Sequence, residues 1–435
     1  MRLKTRVQFS AIIIALSLAW PFPSSAYSVL THEAIIDSAW DSGIRPLLLK
    51  RFPNATHDDL RKAHAFAYGG SIIQDMGYYP HGNKFFSDLT HYFRSGDFIQ
   101  ALLRDSQDLN DYAFAIGAMA HYAADNSGHR LATNLAVPML YPELKKKYGD
   151  VITYEDNPIA HVKTEFGFDV LEVARGRFAP DGYRDFIGFE VAAPLLERAF
   201  QETYGLELRS VLKDEPRVIN SYRSDVSSLI PKATRVAWKL KQNDIEKDLP
   251  GITRRQFLYN ISRSSYEKRW GKDYSRPGFG DTILAFFYRI LPKFGPLRVL
   301  AFRTPTPQTE KLFEESFNVT IDRYRTLLVE LRTTGQVALP NDNFDVGETT
   351  ARGQYRLGDD ACGELLDMLV KNDFAGASPA LRADLLSFYA SPDIPPSDKL
   401  SAKAQMRLRA DIQKLQNVGL STAVTKNPNI PANPQ

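Results

Sequence analysis

Apolar positions recur at helical spacing along most of this chain, and strict alternation of apolar and polar residues is hardly seen, so the pattern predicts an all-α protein. Thr56-His-Asp-Asp has the form of a helix start, with Thr56 as N-cap and Asp59 as a carboxylate variant of the capping box. That helix is expected to run towards Ala67 and to be broken by Gly69-Gly70. From Asp111 to Asp125 the residues are apolar around most of the circumference (Tyr112, Phe114, Ile116, Met119, Tyr122), which predicts a buried helix. Asn157-Pro158 reads as an N-cap followed by proline at the first helical position, so His161 and Glu165 fall in early turns. Further helices are expected at Phe186–Tyr204, Arg217–Lys241, Arg254–Trp270, Thr309–Leu331, Asp359–Asn372 and Ser401–Gln416.

The ends of the chain depart from this pattern. Arg2, Lys4 and Arg6 precede the apolar run Val7–Trp20 and a small-residue stretch ending Ser-Ser-Ala, the layout of a signal peptide over residues 1–26, cut after Ala26. The run is too short to favour a span, and no other stretch reaches the roughly 20 apolar residues a span needs. The expectation is an exported chain, periplasmic or extracellular, with no transmembrane span once the signal is removed. Cys362 is the only cysteine, so no internal disulfide can form and the chain must be stabilised by other means. Residues 425–435 repeat Asn and Pro and read as a disordered tail.

Between these ends the length suggests two or more cores. A boundary between about Asp214 and Asp248 separates residues 27–230, which hold every histidine of the processed chain, from a helical C-terminal region, 231–424. Gly335–Gln354, rich in Asn, Asp, Gly and Thr, reads as a loop or linker. The formal charge of +3 falls to about zero without the signal's cations, so bulk charge excludes no partner. Its distribution is uneven, with sixteen Lys and Arg against six Asp and Glu from Lys232 to Arg303. Within that stretch residues 283–303 have two readings: a peripheral membrane contact, Phe286, Phe287, Phe294 and Phe302 entering lipid beside Arg289, Lys293, Arg298 and Arg303, or a core helix with cations at its rim. The second is preferred.

The candidate chemistry lies in the histidines, all eight of which fall within the first 161 residues. Imidazole is the commonest protein ligand for zinc and related divalent metals. His121 and Asp125 are four apart, as are His161 and Glu165, so on a helix each pair projects from one face. With Tyr27 at the new N-terminus, His32, Asp75, His91 and His129, they form an ordered set of ligand-type residues. His57 in a first turn, His64 as a core hydrogen-bonding residue and His81 in a loop are read as non-ligands.

The segments YSVLTHEAI, SIIQDMGYYP, LTHY, HYAADNSGH and HVKTEFGFD resemble the zinc-dependent phospholipase C superfamily, whose other branch is the single-strand nucleases. The resemblance covers roughly Tyr27 to Phe168 and implies a multi-helix domain with a metal cleft holding two to three Zn2+. It implies a first metal on Asp75, His91, His121 and Asp125, and a second on His129, His161, Glu165 and water. A third would take the amino group and carbonyl of Tyr27, His32, and Asp125 as a bridge. Only Asn126-Ser127-Gly128 separate Asp125 from His129, where the secreted phospholipases and the nucleases have five residues; the shorter step resembles more distant branches, one of them with phospholipase D activity. Two metals about 3.5–4 Å apart can supply a nucleophilic water and clamp an in-line displacement at phosphorus. Asp75 is the carboxylate placed to orient or deprotonate that water.

The resemblance thus implies an exported phosphodiesterase of phospholipase C type acting on phospholipid, and a lysine in HVKTE resembles the lipases. A single-strand nuclease or 3′-nucleotidase is the alternative, in which Tyr92 would bind substrate by stacking a base; nucleic acid is a partner only there. Phospholipase D-type cleavage and a non-catalytic, metal-stabilised lipid- or envelope-binding protein are the remaining readings.

Overall fold

The computed structural model describes residues 27–174, 189–226, 301–390 and 402–424, together with residues 233, 234, 237 and 241. The expected signal peptide, the helix at 254–270, most of the 283–303 patch and the tail at 425–435 lie outside the described residues. The protein is all-α: among the described residues extended backbone pairs only at the bridge Asn343–Glu348. No described helix is long and apolar enough to cross a membrane.

Helix α1 (Val29–Ala39) passes through a π turn, Trp40–Ile44, into α2 (Arg45–Arg51). α3 (His57–Gly70) leads to a 3-10 segment, Ile73–Tyr78, then α4 (Lys84–Tyr92) and α5 (Ser95–Asp105). The long α6 (Leu109–Gly128) widens into a second π turn, His129–Thr133, and continues as α7 (Asn134–Leu140) and α8 (Pro142–Tyr148). α9 (Pro158–Ala174), α10 (Ala193–Tyr204), the short α11 (Leu208–Val211) and α12 (Glu215–Ser224) follow, and α13 (Pro307–Thr334), α14 (Arg356–Lys371), α15 (Pro379–Tyr389) and α16 (Ala402–Val424) complete the described helices.

The start of α3 is the expected reciprocal box: Asp59 N donates to Thr56 Oγ1 at 3.2 Å, and Thr56 N to the Asp59 carboxylate at 2.9 Å. Such a cap is worth about 1 kcal/mol. The end of α3 differs from expectation, because the helix runs through Gly69 and Gly70. Both glycines serve close packing. A Cβ on Gly70 would stand 2.0 Å from the Phe114 carbonyl oxygen, and one on Gly117 of α6 would stand 2.1 Å from that of Ala67. α3 and α6 therefore meet backbone to backbone, and no side chain larger than hydrogen fits between them.

α13 is the largest C-terminal contributor to the interior. Its buried residues Phe313, Ile321, Tyr324, Leu328 and Leu331 recur at helical spacing and face the N-terminal helices. Tyr324 Oη donates to the Ile116 carbonyl at 3.0 Å, and Tyr27 Oη lies 2.6 Å from Ser316 Oγ. Buried apolar side chains from Tyr27 to Leu415 form one continuous cluster, so the described residues on the two sides of the expected 214–248 boundary share a core.

Residues 335–354 are irregular, as their composition implies, yet Phe344 and Asp345 are fully buried. Phe344 N donates to the His91 carbonyl at 3.1 Å and Asn134 Nδ2 to that of Asp345 at 2.8 Å. This loop is packed against the ends of α4 and α6–α7 rather than tethering two bodies.

Candidate metal centre

α6 is the spine of the site. At 3.6 residues per turn, positions four apart stay on one stripe, so His121, Asp125 and His129 point the same way. His129 opens the π turn that extends α6, which keeps the short Asp125–His129 step on a continuous helical path. The other residues are brought to this stripe by packing. α1 presents His32, and its N-terminus is held by Asp169 of α9, which accepts from Leu30 N at 2.9 Å and Thr31 Oγ1 at 2.6 Å. The 3-10 segment presents Asp75 and α4 presents His91.

Five side chains form the first group. Asp125 faces three imidazoles: its Oδ1 lies 3.4 Å from His32 Nε2, and its Oδ2 lies 3.2 Å from His121 Nε2 and 3.6 Å from His91 Nε2. Asp75 Oδ1 stands 3.3 Å from His91 Nε2. The rings of His32 and His121 stack at 4.5 Å. All five residues are buried. His32, His121 and Asp125 form one set of converging ligand atoms, each within 4.8 Å of the others, and Asp75, His91 and His121 form a second.

Backbone carbonyls set the tautomers. His91 Nδ1 lies 2.7 Å from the Ser87 oxygen and His121 Nδ1 2.9 Å from that of Ser71. A carbonyl cannot donate, so each Nδ1 carries the proton and each Nε2 turns inward, as metal-binding histidines are arranged. His161 is held in the opposite sense, with Nε2 2.6 Å from the Ile152 oxygen and Nδ1 turned inward.

The electrostatics of the group call for a cation. Burial pushes the pKa of Asp75 up, whereas Asp125 lies well below the usual carboxylate range, because the His121, His91 and His32 imidazoles outweigh its burial. Burial disfavours the charged form of His91, yet the Asp125 and Asp75 carboxylates beside it lift it to about 10. In the protein alone an extra proton on His91 supplies the positive charge that two buried carboxylates require. His32, by contrast, is pushed down to about 3, by burial first and the neighbouring His121 second.

A second group lies beyond it. His129 Nδ1 stands 3.2 Å from Asp345 Oδ1, and the His129 and His161 rings are 5.8 Å apart. His129, His161 and Asp345 each offer a ligand atom within 4.8 Å of the other two. Burial pushes His129 down to about 3 and lowers His161 as well, so both are neutral imidazoles. Glu165, expected here with the two histidines, is buried with Oε1 3.7 Å from His161 Nδ1. Asp345 is the residue that sequence reasoning missed. Nothing at helical spacing marks it, and it sits in the loop read from composition alone.

The remaining candidates fall as follows. Tyr27 is buried, its ring 6.1 Å from that of His32, which brings the start of the expected processed chain beside the first group. Tyr92 is 6 % exposed and packs on Tyr355 at 5.0 Å. His64 is a core residue, stacked on Trp40 at 3.7 Å with Nε2 2.9 Å from Asp37. His57 is exposed, and His81 occupies an exposed turn at φ 68°.

Residues 31–214 match the family model for Zinc dependent phospholipase C. Over these residues, somewhat under half of its length, the chain is similar to the zinc-dependent phospholipase C family. No curated protein and no solved structure matches the chain significantly. The family segment contains every ligand-type residue of both groups except Asp345. The donor set fits the family's metal. It is all nitrogen and oxygen, deeply buried, oriented by carbonyls and free of thiolate, as zinc sites with histidine and carboxylate ligands are. Asp75 Oδ1, His129 Nδ1, His161 Nδ1 and Asp345 Oδ1 also make no hydrogen bond, a costly state for buried polar atoms unless a cation is near.

Proposed function

We propose that the protein is an exported zinc phosphodiesterase that hydrolyses phospholipids with phospholipase C-type cleavage. The observation that carries this reading is the convergence of His32, Asp75, His91, His121 and Asp125 in one buried group, adjoining a second with His129 and His161, inside a segment of this family. Asp75, His91, His121 and Asp125 would hold one ion, His129 and His161 with Glu165 another, and His32 with Asp125 and the main chain of a processed Tyr27 a third. Zinc supplies Lewis acidity, which neutralises charge on a phosphodiester and provides a nucleophilic water at neutral pH.

The chain's own groups do the rest. Asp75 Oδ1, buried and without a hydrogen bond, is placed to orient a water and accept its proton. Ser87 and Ser71 hold the His91 and His121 rings through their carbonyls, so these ligands need not reorganise as charge develops at phosphorus. The buried setting raises the value of every such interaction over that in water. Tyr92, which the nuclease reading needs as a base-stacking platform, is packed against Tyr355, and this favours the lipid substrate.

The test is to give the protein starting at Tyr27 three substrates, p-nitrophenylphosphorylcholine, phospholipid vesicles and single-stranded DNA, each with and without chelator. Diacylglycerol release that chelator abolishes is expected. Phosphatidic acid as the lipid product, or faster cleavage of the DNA, overturns the C-type reading.

A further inference from the structure

We infer that Asp345 is a protein ligand of the second metal position, so that the loop around it is part of the metal centre and the family segment alone is an incomplete site. The inference rests on the proposal that the centre holds zinc, and it extends that proposal to a residue outside the matched segment 31–214.

The two oxygens of Asp345 are treated differently. Oδ2 accepts from Tyr355 Oη at 2.7 Å and from Tyr154 N at 2.8 Å. Oδ1 makes no hydrogen bond and faces His129 Nδ1 at 3.2 Å. The residue is fully buried. A buried carboxylate with one bare oxygen is expensive, since the desolvation it suffers is only half offset. The two atoms it converges on, His129 Nδ1 and His161 Nδ1, make no hydrogen bond either. With its Nε2 committed to the Ile152 carbonyl, His161 offers a lone pair at Nδ1. Two imidazole nitrogens and one carboxylate oxygen, leaving a position for water or a further ligand, is the donor count of a catalytic zinc site. The Tyr355 hydroxyl and the Tyr154 amide then act as groups that aim the carboxylate, the usual support for a metal-bound one.

The loop is built to hold this residue. Asp345 N donates to Asn343 Oδ1 at 3.0 Å, and Asn134 Nδ2 to the Asp345 carbonyl at 2.8 Å. Gly347 lies at φ 76°, and a Cβ there would stand 2.9 Å from the Asn126 carbonyl oxygen, so the return of the loop onto the end of α6 requires glycine.

The test is zinc content, by elemental mass spectrometry, of the full chain and of Asp345→Asn. The amide keeps the side chain's shape and can still accept from Tyr355 and Tyr154, but it lacks the charge. Asp345→Asn is expected to lose one zinc per chain and to release its zinc to a fixed chelator concentration at least about tenfold faster. Wild-type zinc content with wild-type chelator resistance overturns the inference. Hydrogen exchange on the unsubstituted chain provides a second measurement should the variant not fold. Chelation is expected to raise exchange in the peptide spanning 343–348, and unchanged exchange there counts against ligation. A wild-type chain that binds no zinc overturns both this inference and the proposed function. Zinc bound and lost on substitution, with no phosphodiester cleaved, overturns the function alone.

Discussion

In the first ligand group every residue comes from the stretch His32 to Asp125, four of the five standing on α-helices and Asp75 on the 3-10 segment between two of them. In the second, His129 and His161 converge with Asp345, which a loop delivers from the far part of the chain. The two also differ in charge. The first combines two carboxylates with three imidazoles and draws one of them, His91, to about 10. In the second, burial keeps both imidazoles neutral, His129 pushed down to about 3 and His161 lowered as well. The first group thus demands a cation even in the protein alone, while the second offers lone pairs and one bare carboxylate oxygen that only an added ion would satisfy.

The largest effect should come from the residue that the first group shares among its imidazoles. Asp125→Asn removes a charge facing His32, His91 and His121, and is expected to cut phosphodiester hydrolysis by about 100-fold or more along with loss of bound zinc, since even changes behind the ligands cost about 10–100-fold. Glu165→Gln, at the edge of the second group, should cost about tenfold. Equal losses in kcat/KM would break the distinction between a shared and a single-ion carboxylate.

The contrast in charge sharpens with pH. His91 in the folded, metal-free protein holds its proton to about 10, against an ordinary value near 6.5 when unfolded. The stability this contributes is fully present below about pH 6.5 and is lost as pH rises towards 10, because the folded state binds the extra proton across that window. The chelated protein should therefore melt at progressively lower temperature from pH 6.5 to 10, by at most about 1.4 kcal/mol per pH unit. His91→Gln should remove the slope, and a melting temperature independent of pH in the chelated wild type would show that His91 is not the cation.

The smallest change is expected at the loop. Gly347→Ala forces a side chain into the left-handed region against the Asn126 carbonyl and should cost roughly 1–2 kcal/mol, with zinc lost from the second group alone. Equal weakening of both groups, read as zinc content against chelator concentration, would mean that the two are not separable.

The parts of the molecule legible in the sequence are those specified locally. The α3 capping box, the buried α6 and the Asn157-Pro158 start of α9, where Ala160 N donates to Asn157 Oδ1 at 3.0 Å, each depend on residues within one or two turns. Ligand-type residues four apart were legible for the same reason. Gly69-Gly70 reads as a break in the sequence because glycine's low helix propensity is a local property, whereas its use here is contact with a distant backbone. α1 is hidden in the sequence, since burial on nearly every side erases the polar stripe by which an amphipathic helix is recognised. Asp345 was invisible in the strongest sense: its partners are set by the packing of the whole chain, and its own neighbours, Asn-Asp-Asn before Phe344 and Val-Gly after, are those of an ordinary turn.

The burial of Asp345 beside His129 and His161 also sets an order in time. Everything that the first group draws from side chains has been synthesised once Asp125 has been added, and these helices can begin to assemble around a metal while most of the polypeptide is still to come. The second group must wait until residue 345 has been made and folded back, so a chain interrupted anywhere between α9 and that loop carries one complete set of side-chain donors and one that is still open.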